Sequence, residues 1–350
     1  MEPEPRPTPA RWLDGLEAAA LRAMQPSVAL YVRSGSYGEA SVREAVQAWQ
    51  SVRFRTRVLR GGGEPDLTTS LLGTAVSSPL AVAPTAMQRA VHPGGEPEMA
   101  AGVGAAGTLH VVSSNAGTRF AEIGSGPWWL QAYLPTDREA MVPVLEAAVA
   151  AGASAVVLTA DTPFPGTKHA ADAADWTGVD LGWWRVNFGH PQPDAWARDL
   201  TPADVTWLRE RSGVPVVVKG VLRGDDALRC LHAGADAVWV SNHGGRQLDR
   251  AVPTALALRE VVAAVGDRSE VYVDGGIRSG LDALAALALG ARGVFLGRPA
   301  LYGLAVDGAR GVTRVLRDLE TELREALELA GCATLDEARD LLAVPPPTGL

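Results

Sequence analysis

Cysteine is almost missing from this chain. The two present, Cys230 and Cys332, show no metal-ligand spacing and cannot build a disulfide framework, so a reducing compartment is the expected setting. An excess of positive charge is missing too: 32 Lys and Arg stand against 40 Asp and Glu, for a net charge of -8. That balance argues against broad contact with nucleic acid or an anionic membrane surface. Apolar runs of membrane-spanning length are absent, because a charge or a turn residue interrupts each of them first. The start, Met1-Glu2-Pro3-Glu4-Pro5-Arg6-Pro7, is acidic and proline-rich, the reverse of a secretory leader. A cytoplasmic protein with no membrane attachment is therefore expected. What is present is ordinary globular composition, 47% hydrophobic and 21% charged over 350 residues. That excludes wholesale disorder and suits one large catalytic domain or two ordinary ones.

From residue 79 onward one rhythm repeats: a short apolar run, a polar or glycine-rich patch, then a longer Ala/Leu-rich amphipathic stretch. The apolar runs fall at 80–83, 109–112, 128–130, 155–158, 214–218, 237–240, 271–273 and 293–296. Near-continuous rather than alternating apolar strands are covered on both faces, as in a parallel sheet flanked by helices. Helical stretches at 139–151, 225–233 and 281–289 stop at Gly152, Gly234 and Gly290, and Thr201-Pro202 reads as an N-cap followed by a first-turn proline. Eight strands alternating with helices predict an α/β fold, a (β/α)8 TIM barrel over 73–350. An open doubly wound sheet is the alternative, but no G-x-G-x-x-G follows the first run. Residues 1–72 read as a helical extension (12–24 and 42–54) packed on the bottom or side of the barrel. The proline- and tryptophan-rich stretch 162–200 reads as a lid-like loop after the fourth strand.

In such a barrel the chemistry sits just past the C-terminal strand ends. There the chain places Pro84 and Thr85, Ser113 and Ser114, Gln131 and Tyr133, Thr159 and Asp161, and Lys219. Ser241-Asn242-His243-Gly244-Gly245-Arg246, Asp274-Gly275-Gly276-Ile277-Arg278 and Gly297-Arg298 complete the rim. The last two elements read as a phosphate site. Their glycines let backbone approach closely, a helix N-terminus follows, and Arg278 and Arg298 offer planar forks to an oxyanion. Either element alone would be a glycine-rich turn with a solvated arginine. One histidine among six is more often structural than catalytic. His243, however, shares its loop with Arg246, suited to a carboxylate, and Asp161 can orient or charge-stabilise the imidazole. The remaining His92, His110, His169, His190 and His232 show no metal-binding spacing and read as structural or exposed, so no metal site is expected. Lys219, closing a buried strand, needs an anion or a polar partner. Schiff-base formation, phosphate neutralisation and stabilisation of charge on a cofactor all remain open for it.

Ser241-Asn242-His243-Gly244-Gly245-Arg246-Gln247-Leu248-Asp249 resembles the signature of the FMN-dependent α-hydroxy acid oxidases and dehydrogenases. Ala83-Pro84-Thr85-Ala86, Gln131-Ala132-Tyr133, Leu158-Thr159-Ala160-Asp161-Thr162-Pro163, Val218-Lys219-Gly220, the 274–278 element and Gly297-Arg298-Pro299 follow in the family's order. Tyr31-Val32-Arg33-Ser34-Gly35 is similar to its Tyr-x-x-Ser-Gly element, and the likeness spans residues 25–335. The resemblance implies FMN as cofactor. Ala83, Pro84, Thr85, Ser113, Gln131, Thr159 and Ser241 would hold its ring, and Lys219 would lie near N1 and the C2 oxygen. Asp274, Gly276, Arg278, Gly297 and Arg298 would hold its ribityl phosphate. His243, paired with Asp161, would be the base, and Arg246 would bind the substrate carboxylate with Tyr31 and Tyr133. Whether the base takes the hydroxyl proton during hydride transfer to flavin N5, or the α-proton to leave a carbanion, stays open.

The implied reaction is oxidation of an (S)-2-hydroxy acid to the 2-oxo acid, with O2 reoxidising the flavin to give hydrogen peroxide, in a homotetramer. A dehydrogenase using another acceptor is one alternative. A non-redox FMN barrel of the isopentenyl diphosphate isomerase type is another, and the His243/Arg246 pair speaks against it. Two positions depart from the glycolate oxidase pattern: Lys168 stands for a second arginine, and Asn115 for a tryptophan. With a shortened 162–200 loop, both point to a roomier substrate site, and so to a bulkier, even aryl or carrier-borne, 2-hydroxy acid.

Overall fold

A computed structural model describes residues 9–341 apart from 62, 125 and 190–194. His190, the proline-rich start and the end of the 73–350 segment lie outside the described residues. Helices α1 (Pro9–Ala23), α2 (Pro26–Arg33) and α3 (Ala40–Gln50) come first, followed by a hairpin of β1 (Thr69–Leu71) and β2 (Thr74–Val76). Eight parallel strands then form a closed barrel: β3 (Leu80–Thr85), β4 (His110–Ser113), β5 (Trp128–Ala132), β6 (Ala153–Thr159), β7 (Val216–Val221), β8 (Ala237–Val240), β9 (Glu270–Val273) and β10 (Gly293–Leu296). Each expected apolar run falls on one of them. Pairing of β10 with β3, Val294 opposite Leu80, closes the ring and removes the open-sheet alternative.

Helices α4 (Gln88–Val91), α5 (Gly95–Ala106), α6 (Val142–Ala150), α7 (His169–Asp172), α8 (Pro202–Ser212), α9 (Gly224–His232), α10 (Thr254–Val265) and α11 (Gly280–Ala288) occupy the crossovers, and α12 (Arg298–Ala330) follows the last strand. Between β4 and β5 a single 3₁₀ turn, Phe120–Glu122, replaces a helix. Helix starts follow their local chemistry. Thr201 and Asp204 form a capping box on α8 with proline in its first turn, and Ser279 and Asp282 form another on α11.

The barrel interior is filled rather than hollow. Trp129, Trp239, Tyr272 and Phe295 share it with Ala81, Ala155 and Ala237, the small residues making room for the rings. The Trp239 and Phe295 rings lie 3.9 Å apart between centroids. Leu71 and Val76 of the hairpin join this cluster, while Arg292 donates to Ser70 O and Leu72 N donates to the Glu270 carboxylate. The hairpin is thus the plug at the strands' N-terminal end.

Of the 1–72 extension, expected at the bottom or side, β1 joins the plug and α1 packs along α12, while α2 and α3 reach the opposite end. Trp49 Nε1 donates to Gly275 O (2.7 Å) and Ser36 N to Gly245 O (2.9 Å), so both helices border the loops after β8 and β9. The contact is polar: those loops present backbone carbonyls to which the extension donates.

Candidate active site

The strand ends surround a cavity that opens toward solvent. Its wall brings together Tyr31, Ala83, Pro84, Thr85, Ser113, Gln131, Tyr133, Thr159, Lys219, His243, Arg246, Asp274, Gly276, Arg278, Gly297 and Arg298, sixteen of the residues singled out from sequence. Asp161 and Ser241 stand directly behind the wall, bonded to His243 and Lys219. Lys168 and Asn115 are not brought to the wall. Lys168 is buried with Nζ on Gly166 O (2.6 Å). Asn115 is buried where the chain reverses after β4, Ala116 N donating to Ser113 O, and its backbone N–H donates to Ser113 Oγ.

His243 is held on several sides. Its Nδ1 lies 3.0 Å from Asp161 Oδ1 and 3.3 Å from Thr162 Oγ1, and its Nε2 lies 3.4 Å from the Tyr133 hydroxyl. Burial would raise the Asp161 carboxyl, but the charge and hydrogen bond of His243, with Lys219 and Thr162 behind them, outweigh it and hold Asp161 below the usual carboxylate range. An ionised Asp161 only accepts, so Nδ1 carries a proton toward it, and Nε2, the other ring nitrogen, faces the Tyr133 hydroxyl. Burial, reinforced by Asp161 and Tyr31, pushes the Tyr133 phenol well above its ordinary value, so it stays a donor. Space for Asp161 is made by Gly220, at φ +105, where a Cβ would stand 2.7 Å from the Asp161 Cβ. His243 itself sits at φ +58, a left-handed conformation that costs a branched-ring residue energy and that clusters at functional sites.

Deeper in, Ser241 Oγ accepts from Lys219 Nζ (2.9 Å) and from His243 N (3.1 Å) and donates to Asp274 Oδ1 (2.6 Å). Lys219 also pairs with Asp274 Oδ2 at 3.2 Å. Gln131 links neighbouring strand ends, accepting from Ser113 Oγ and donating to Thr159 Oγ1, both at 2.9 Å. At the mouth, Arg246 stacks over Tyr31, 4.6 Å from its centroid, and donates to Tyr31 O and Ser34 O. Arg298 donates to Val32 O, Gly244 O and Ser34 O. Burial, then the neighbouring cations Arg246 and Arg278, pull the Arg298 guanidinium down to about 9. Half-buried cations gathered this closely call for an anion.

The residues fit a phosphate-bearing flavin. At Gly297, the residue capping α12, a Cβ would meet no protein atom within 4 Å, so the room beside this helix N-terminus is cavity rather than packing. Arginines lie at that end, and Gln131, Thr159, Ser113 and Lys219 supply neutral and cationic hydrogen-bonding groups along the rest. Val32, Ile277 and Leu296, from quoted elements, also line the wall, as does Leu301, which was unmarked in the sequence. As an apolar side chain within a helix Leu301 carried no signal. Thr162 likewise lay within the quoted 158–163 element and touches both Asp161 and His243.

Comparison with known proteins agrees with this geometry. The sequence profile of the FMN-dependent dehydrogenases matches residues 20–344. The chain is 38% identical over 337 residues to an L-lactate oxidase from Nostoc sp., covering 88% of this chain and 90% of that one. It is 37% identical over 342 residues to glycolate oxidase from Spinacia oleracea, covering 92% of each. The solved structure of a mandelate oxidase with benzoyl-formic acid superposes with a TM-score of 0.89 at 37% identity, covering 95% of this chain and 98% of that one. The chain belongs to the FMN-dependent dehydrogenase family.

Proposed function

We propose that this protein is an FMN-dependent oxidase of (S)-2-hydroxy acids. The observation that carries the reading is the Asp161–His243 pair, whose free Nε2 faces Tyr133 on the same cavity wall as Arg246. When bound, FMN supplies the two-electron acceptor. Arg246 draws the substrate carboxylate, with Tyr31 beneath it and the Tyr133 hydroxyl donating alongside. His243 Nε2 takes a proton from the substrate, and Asp161 stabilises the imidazolium that forms. Lys219 keeps positive charge at the cofactor ring, held in place by Ser241 and Asp274. The substrate leaves as the 2-oxo acid, and O2 accepts two electrons and two protons to give hydrogen peroxide.

A bulky or aryl substrate is supported by the aromatic faces of Tyr31 and Tyr133 on the wall and by the likeness to a mandelate oxidase. Lys168 acts from behind: it adds positive potential beside Arg246 without touching the substrate. A cytoplasmic location and a tetramer complete the proposal, tested by cell fractionation and by light scattering on the purified protein. Among the described residues no helix is long and apolar enough to cross a membrane.

Anaerobic addition of glycolate, L-lactate and (S)-mandelate to the purified yellow protein tests the chemistry. Bleaching of the flavin by one of them, fastest for mandelate, is expected, with peroxide formed once air is admitted. A flavin that none of them bleaches overturns the reading, and bleaching without peroxide in air reassigns the protein as a dehydrogenase.

A further inference from the structure

The two phenols on the cavity wall are each backed by a tryptophan from the 162–200 loop. Trp176 stands edge-on to Tyr31 at 6.0 Å, and its Nε1 donates to Ala171 O. Trp196 lies against Tyr133, 5.3 Å between centroids and tilted by 40°. The second contact is the more tightly built. Trp196 forms a bridge with Pro135, Ala197 N donates to Leu134 O (2.8 Å) and Thr136 N to Ala195 O (3.1 Å). The end of the loop is thereby stitched to the segment that carries Tyr133. Arg138 adds a clamp, donating to Asp199 and Asp204 at 2.9 Å each. On the side of Trp196, the Arg185 guanidinium sits 4.3 Å from its ring centroid and 4.6 Å from that of Phe188. The indole therefore has packing, backbone pairing and a stacked cation to hold it, and Tyr133 has the indole.

What this support controls is the position of one hydroxyl. The Tyr133 OH lies 3.4 Å from His243 Nε2, the far limit of a hydrogen bond, where a small swing of the ring makes or breaks contact. A phenol has few internal rotations, so its placement is set by what packs on its faces.

We propose that Trp196 is a positioning residue, which through its ring contact fixes the Tyr133 hydroxyl against His243 and so couples the loop to the base. The proposal rests on the oxidase reading above. It makes the C-terminal stem of the loop part of the catalytic support rather than a cover, and it assigns Arg185 the task of holding the indole.

The test is anaerobic stopped-flow reduction of the FMN-loaded enzyme by (S)-mandelate and L-lactate, using wild type, Trp196→Leu, Trp196→Phe, Tyr133→Phe and the double variant Trp196→Leu/Tyr133→Phe. Positioning errors of this size are expected to slow the limiting reduction rate about tenfold in Trp196→Leu. Flavin content should stay near wild type, and Trp196→Phe should recover most of the rate. The double variant should be no slower than Tyr133→Phe alone, because both substitutions remove the same hydroxyl contact. Losses that multiply in the double variant overturn the proposal, as does an unchanged rate in Trp196→Leu. If Trp196→Leu does not fold, Arg185→Met carries the same cycle, expecting a smaller loss that disappears in the Tyr133→Phe background; no loss, or one that persists there, overturns it. Wild-type enzyme that neither acid reduces overturns the oxidase reading and this proposal with it, whereas normal wild-type reduction with multiplying losses overturns this one only.

Discussion

At the scale of one side chain the proposed chemistry rests on His243, and its neighbours decide how the ring is held. Asp161 accepts from Nδ1, which turns Nε2, the proposed base, to the cavity side with Tyr133. His243→Ala should keep the FMN absorption bands and lower the flavin reduction rate by about a hundred- to ten-thousand-fold, the usual contribution of a general base. Normal reduction in that variant would remove His243 from the role. Lys168 makes a different prediction. Burial, then the charge of Arg246, lowers its amine to about 8, with Asp172 opposing them. An amine is charged below its pKa, so the potential it adds for a substrate carboxylate is complete at neutral pH and fades as pH rises through about 8. The wild-type kcat/KM profile should therefore fall on an alkaline limb near that pH. Lys168→Arg, which stays charged, should move the limb upward.

Elements place these side chains, and the placing depends on close backbone contact within α12. That helix is broken at Asp307 and Gly308, where φ is -152° and 54°, so its first segment crosses the second at Gly303 and Gly311. A Cβ on Gly311 would stand 2.0 Å from Gly303 O, a contact that backbone cannot relieve by rotating a side chain. Gly311→Ala should destabilise the fold by about 1–3 kcal/mol, the cost of overpacking a tight interface. A thermal melt would read it as a lowered Tm. Because the first segment carries Arg298 and Leu301 to the cavity, the same variant should also release FMN more readily on dialysis. A melt and an FMN content both equal to wild type would show that the crossing adjusts freely.

Across the whole molecule, Arg298 ties the N-terminal extension to the barrel beside the cavity proposed to hold the cofactor. It joins the end of α2, by Val32 O and Ser34 O, to the loop after β8, by Gly244 O, at the edge of the cavity. A ligand that binds only the folded state raises stability by about 2.7 kcal/mol at a hundredfold excess over its Kd. FMN should accordingly raise the Tm of the cofactor-stripped protein in a concentration-dependent way. Arg298→Ala should shrink that increment. It should also lower the starting Tm, since three carbonyls lose their donor, but only the FMN-dependent part reports on the cofactor. An undiminished increment would place the phosphate elsewhere.

The barrel was legible because strands buried on both faces leave uninterrupted apolar runs, and parallel strands require a helical crossover between them. All eight runs could be read that way. Residues at the strand ends were legible for a related reason: polar groups closing such runs have few other places to go. The Asp161–His243 pair was legible because both residues close strands that deliver polar groups to the same rim, and the family resemblance reinforced it. The rest was decided in three dimensions. The hairpin plug is too short to show a strand period, and whether α2 and α3 cover the floor or the mouth depends on which carbonyls need donors. Lys168 and Asn115 sit at promising positions in sequence but are turned off the wall by the local path of the chain. Trp196 looks in sequence like any loop tryptophan. Sequence determined this protein's fold and its chemical groups, because burial pattern and residue type are local properties; tertiary structure decided which groups meet and at what distance, because contacts between remote segments follow from how the elements pack.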